Sequence, residues 1–81
     1  MVRVSKKTDK DDLLVRLGAE VRAKRTVIGL SQEAFADAAG IERSHMGKIE
    51  RGERNVSFLN IVRIANALGT SPSKLMQDAG L

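Results

Sequence analysis

Between Gln32 and Ile49 the chain reads QEAFADAAGIERSHMGKI. This run restricts the fold more than any other part of the sequence. Ala36 sits four residues before Gly40, and apolar side chains fall at Phe35, Ala39, Ile41, Met46 and Ile49. A small residue lets two helices approach closely. A glycine takes the left-handed backbone conformation of a tight turn without a Cβ penalty. The other apolar positions bury the inner faces. The spacing predicts two short helices crossing through one turn.

The rest of the chain carries helical punctuation on both sides of this run. Thr8 or Asp9 is placed to cap a first helix, with Asp11 and Asp12 in its first turn, where the helix dipole favours acids. Leu14, Leu17, Val21 and Ile28 make its apolar stripe, and Gly29 ends it. Ser31 caps the second helix and Gly40 stops it. The third runs from about Glu42 to Arg51, with Gly52 behind it. After the loop ERNV, Ser57 caps a fourth helix, Phe58 to Leu68, which Gly69 stops. Ser71 followed by Pro72 starts a fifth, Pro72 to Ala79, because proline suits the first helical position. No strand pattern competes. The expectation is a compact all-α domain of five helices over residues 9–81, preceded by a flexible basic arm over residues 1–8.

Composition narrows the chemistry. The 81 residues suffice for one small domain. With no cysteine there is no disulfide and no thiolate zinc site, and a single histidine excludes a multi-histidine metal site within one chain. Two phenylalanines, without tyrosine or tryptophan, argue against a single-strand binder that stacks bases on aromatic platforms. No catalytic triad, carboxylate pair with a histidine, metal cluster or phosphate loop is visible, so an enzyme is not expected and no cofactor is implied. No apolar run is long enough to span a bilayer, and no signal peptide is visible, which points to a cytoplasmic protein without a membrane partner. The net charge of +4 fits a polyanion partner. Its distribution is uneven. Residues 1–10 carry Arg3, Lys6, Lys7 and Lys10 against Asp9, whereas residues 31–56 hold four cations against five anions. Affinity for a polyanion must therefore come from where the central charges point.

Two helices joined as in Gln32–Ile49 form a helix-turn-helix, whose second helix can lie in the major groove of duplex DNA. On a wheel of 100° per residue, Arg43, Gly47, Arg51, Ser44 and Lys48 fall on one side of the third helix. Met46 and Ile49 fall on the other, with Glu50 near the boundary. Arginine matches the two acceptors of guanine, and serine can reach several base edges. Gly47 would let the helix sit close to the duplex. Arg43, Ser44 and Lys48 are the expected base readers, with His45 beside them. Glu42, at the helix start, can cap the helix or accept from a cytosine amino group. Gln32, at the start of the second helix, and Arg51 are expected to hold phosphates, since helix N–H groups and side-chain amides clamp them. Arg25 and Glu50 sit near the inner faces of their helices and are expected to pair.

The run LGAEVRAKRTVIGLSQEAFADAAGIERSHMGKIERGERNVS resembles the phage-repressor-like (Xre-type) helix-turn-helix family, from the first helix through LSQE to IERG. The resemblance covers roughly residues 14–75. It implies that Gln32 contacts phosphate and that Arg25 and Glu50 form an internal ion pair. A narrower resemblance, carried by ERSHMGKIERGERNVSFLNI, is to the controller proteins of restriction–modification systems. It implies groove and phosphate contacts for Arg54 and Asn55 after the third helix. Ser44 and His45 stand where that subclass usually has a threonine and an aromatic, a departure that bears on the operator sequence.

One recognition helix covers few base pairs, so proteins of this kind bind two-fold half-sites as dimers. Phe58, Ile61, Val62, Ile64, Ala65 and Leu68 span about 160° of the fourth helix, wider than one core contact needs. Leu59, Ile61, Ile64, Leu75 and Met76 are the expected homodimer surface. The implied function is a homodimeric, sequence-specific duplex-DNA regulator without a small-molecule effector. The alternative is an antitoxin- or adaptor-like module that binds a different protein through the fourth and fifth helices.

Overall fold

The computed structural model describes residues 9 and 11–81. Their helices are α1 (Leu13–Val27), α2 (Gln32–Ala39), α3 (Arg43–Glu50), α4 (Phe58–Leu68) and α5 (Pro72–Asp78). The basic arm expected over residues 1–8, and Thr8 as a cap, lie outside the described residues. Ser31, Ser57 and Ser71 each accept a hydrogen bond from the backbone N–H three residues on, starting α2, α4 and α5. At the α2–α3 corner Gly40 is left-handed, at φ 69°. There the Ile41 N–H reaches the Ala36 carbonyl at 2.9 Å and the Gly40 N–H reaches that of Asp37 at 3.2 Å. This pair of bonds closes the helix end, and Ile41, the next residue, drops into the core.

The core lies where α1, α2, α3 and α4 meet, with α5 closing it through Leu75. Phe35, Met46, Ile49, Ile64, Leu75 and Val21 are its largest fully buried side chains. Two glycines let α1 press against the end of α3. A Cβ on Gly18 would lie 2.3 Å from the Ile49 carbonyl oxygen and 2.7 Å from that of Glu50. Gly52, at φ 72°, would carry a Cβ 2.6 Å from the Val15 Cα. Backbone thus rests on backbone at the carbonyl end of α3, which sets the position of that helix on the domain.

Several expectations are corrected. The α1 helix begins at Leu13, so Asp11 and Asp12 precede its first turn, which holds no acid. Asp12 is left-handed at φ 56° and makes no side-chain cap. It folds the chain back so that the Asp9 carboxylate accepts from the Leu13 and Leu14 N–H groups, at 2.8 and 2.7 Å. Ile28 is not part of the buried stripe and is 45% exposed. The helix ends at Val27, the chain turns at Gly29, and Leu30 packs against the core instead. The third and fifth helices end one residue short of their expected limits: Glu42 and Arg51 are caps of α3, and Ala79 is the cap of α5. Ile64 and Leu75, expected at a dimer surface, are each only 1% exposed. They fill the monomer core, because α5 and the inner faces of the first two helices cover that part of α4.

Candidate nucleic-acid interface

Met46 and Ile49 anchor α3 from below, so its opposite face turns to solvent. There Gln32, Glu42, Arg43, Ser44, Gly47, Lys48 and Arg51 line an open concavity of about 420 Å³. Three cations thus face one carboxylate, although residues 31–56 as a whole are slightly acidic. The other anions are directed elsewhere. Glu50 is buried, Glu33 and Asp37 lie exposed on α2, and Glu53 engages Arg51. His45 is half-buried beside the face, and Arg54 and Asn55 are exposed beyond Gly52 without lining the concavity.

A hydrogen-bonded cluster behind this face holds α3 in place. Arg25 donates from Nε to Glu50 Oε2 at 2.7 Å and from Nη2 to Oε1 at 3.0 Å. Its Nη1 donates to the Leu30 carbonyl at 2.9 Å, so one guanidinium joins α1, the α1–α2 turn and α3. Gln32 Nε2 donates to Glu50 Oε1 at 3.1 Å. The Glu50 side chain is 3% exposed, and no buried side-chain nitrogen or oxygen among the described residues lacks a partner. The bond to Glu50 raises the Arg25 pKa above its ordinary value, despite the opposing effect of burial. A two-point guanidinium–carboxylate contact fixes direction as well as distance, so the cluster sets the orientation of α3.

Gly47 is itself buried, although it borders the concavity, because Arg51 and Gln32 lie across it. A Cβ there would be 3.1 Å from Arg51 Nη1 and 3.3 Å from Gln32 Oε1. The missing side chain seats those two groups against α3. Arg51 donates from Nε and Nη2 to Glu53 at 3.0 and 3.2 Å, and that hydrogen bonding raises its pKa. Gln32 is committed in part to Glu50, yet both side chains still border the concavity.

Arg22 was not among the expected site residues. With Arg25, Gln32, Glu50 and Arg51 it lines a second polar recess of about 230 Å³, which shares Gln32 and Arg51 with the first. Its signal was its place three residues before Arg25, on the same side of α1. No group of three or more metal-ligating side chains occurs among the described residues, and no described helix is long and apolar enough to cross a membrane.

Comparison with known proteins agrees with this geometry. A helix-turn-helix family model matches residues 21–75. The control protein C.SmaI of Serratia marcescens is 40% identical over 70 residues, covering 86% of this chain and 83% of the relative. The control protein C.MunI of a Mycoplasma species is 35% identical, covering 84% and 93%. The crystal structure of the restriction–modification controller protein C.AhdI from Aeromonas hydrophila matches with a TM-score of 0.75 and 48% identity, covering 76% of this chain and 94% of that one. The two helices crossing at Gly40, the outward face of α3 and these relatives together show that the chain belongs to the helix-turn-helix family of DNA-binding transcription regulators.

Proposed function

We propose that the chain acts in the cytoplasm as a homodimer that binds a specific duplex operator at a promoter and controls restriction–modification genes. The concavity on α3 carries this reading, because it turns Arg43, Lys48 and Arg51 outward from a segment with no net positive charge. Arg43, Ser44 and Lys48 read bases, with His45 and Arg54 at the edges of the face. Gln32, Arg51 and Asn55 hold phosphates, which position the helix without carrying sequence information. The gene class is supported by the relatives named as control proteins.

A second copy supplies the second half-site, about one helical turn of DNA away. Phe58 and Leu59 support this reading, being 72% and 64% exposed at the start of α4, where solvent alone gives large apolar side chains no gain. Ile61, one turn on from Phe58, and Met76 of α5 are half-buried and extend the apolar surface. No small-molecule effector enters this scheme, so protein concentration sets occupancy through dimerisation.

Arg43→Ala tests the assignment. It removes a guanidinium that matches guanine at two points, so affinity for the selected operator should fall by about 1–3 kcal/mol and the preference at one base pair of each half-site should relax. Unchanged affinity with unchanged preference contradicts the role given to Arg43.

A further inference from the structure

The side chain of Glu42 does none of the structural work that its position offers. It stands at the N-cap of α3 with the extended backbone of a capping residue, φ −60° and ψ 139°. Ser31, Ser57 and Ser71 cap their helices through the side chain, whereas the Glu42 carboxylate makes no bond to an α3 amide. It has no ion-pair partner among the described residues. Its Oε1 instead accepts from the Ser44 hydroxyl, and both side chains are exposed on the wall of the concavity. A bare carboxylate in a face that meets a polyanion costs affinity unless it receives a donor from the ligand.

We propose that Glu42 and Ser44 act together as an acceptor-only pair that selects a base with an exocyclic amino group in the major groove. This rests on the operator-binding role of α3. A carboxylate offers only acceptors, and a hydroxyl has one proton. With that proton given to Glu42, the Ser44 oxygen can only accept. The pair therefore demands a donor. The major groove offers two, the N4 amino group of cytosine and the N6 amino group of adenine. The O6 of guanine and the O4 of thymine are acceptors and meet the pair with like polarity. Ser44 is thereby narrowed from a side chain that suits either kind of edge to one that suits a single kind. The flanking Arg43, a pure donor, demands the opposite polarity, so successive residues of α3 impose opposite requirements on the operator.

Glu42→Gln separates this role from mere presence of a side chain. The amide keeps the shape, removes the charge and adds a donor, so the pair no longer offers acceptors alone. Wild type and variant are selected on random duplexes under identical salt, and their melting temperatures are compared. The wild type should fix one base pair at one position of each half-site. Each pair presents a single amino group in the major groove, so a G·C pair there identifies cytosine N4 and an A·T pair adenine N6 as the group read. The variant should lose about tenfold or more of that discrimination, keep its preferences at the other positions and melt as the wild type does. Ser44→Ala should weaken discrimination at the same position. An unchanged preference in the Glu42→Gln variant, or a loss spread over every position, overturns the proposal. A wild-type chain that selects no sequence fails the operator-binding reading itself and this inference with it.

Discussion

Replacing Gly47 by alanine should strengthen the fold and weaken DNA binding. Gly47 lies in the middle of α3, where alanine is favoured over glycine by about 1 kcal/mol. The added Cβ would meet Arg51 Nη1 at 3.1 Å and Gln32 Oε1 at 3.3 Å. Both are ends of flexible side chains, so a shift of a few tenths of an ångström relieves the contact at little cost. The melting temperature should rise by as much as about 4–8 °C, the shift that roughly 1 kcal/mol produces in a domain of this size. Both displaced groups border the concavity on α3 that is proposed to meet DNA. Affinity for the selected operator should fall about tenfold, equivalent to about 1.4 kcal/mol. Calorimetric melting and fluorescence anisotropy on one labelled duplex read the two effects separately. A destabilised variant would show that Gly47 serves internal packing. An undiminished affinity would show that the seating of Gln32 and Arg51 over Gly47 has no part in binding.

Other substitutions test the frame that holds α3. Gly18→Ala gains the same helix propensity but drives a methyl group to 2.3 Å from the Ile49 carbonyl oxygen, which cannot rotate away. Overpacking of this kind costs about 1–3 kcal/mol or more, so thermal melting should fall where propensity alone would raise it. Arg25→Met leaves the Glu50 carboxylate buried without its guanidinium and should destabilise the domain by about 3–5 kcal/mol in urea unfolding. Asp78 of α5 bridges Lys24 of α1 and Lys74, and its hydrogen bonds, first to Lys24 and then to Lys74, lower its pKa below 3.8. A lowered carboxylate pKa gives stability that is present above 3.8 and lost as the pH falls through the folded-state value. The difference in melting temperature between wild type and Asp78→Asn should therefore be largest near neutrality and shrink in acid.

Local chemistry explains which of these features could be read along the chain. The caps at Ser31, Ser57 and Ser71 are short-range, each closed by a bond to a residue three positions on, so composition and order suffice to find them. The outward face of α3 follows from helix geometry once Met46 and Ile49 are placed inside. Gly18 was silent for the opposite reason. A glycine inside a helical pattern looks like a weak position, and only the approach of α3 shows that a Cβ would collide with backbone. The wheel places Gly47 on the outward face of α3 but does not show that the long side chains of Gln32 and Arg51 reach it across space. Periodicity marked Ile64 and Leu75 as apolar without saying what covers them, and the core covers both. Asp12 carries no pattern at all for its left-handed turn.

In the proposed mode of action, two copies of α3 read a two-fold duplex site by the orientation of a few side chains. Selection of the wild-type protein on random duplexes, followed by native mass measurement of the selected complex, decides whether they do so. The expected outcome is an inverted repeat with half-sites about one helical turn apart, two chains per duplex and an affinity that falls steeply with salt. A chain that enriches no sequence, or binds as a single copy with an affinity indifferent to salt, would contradict it.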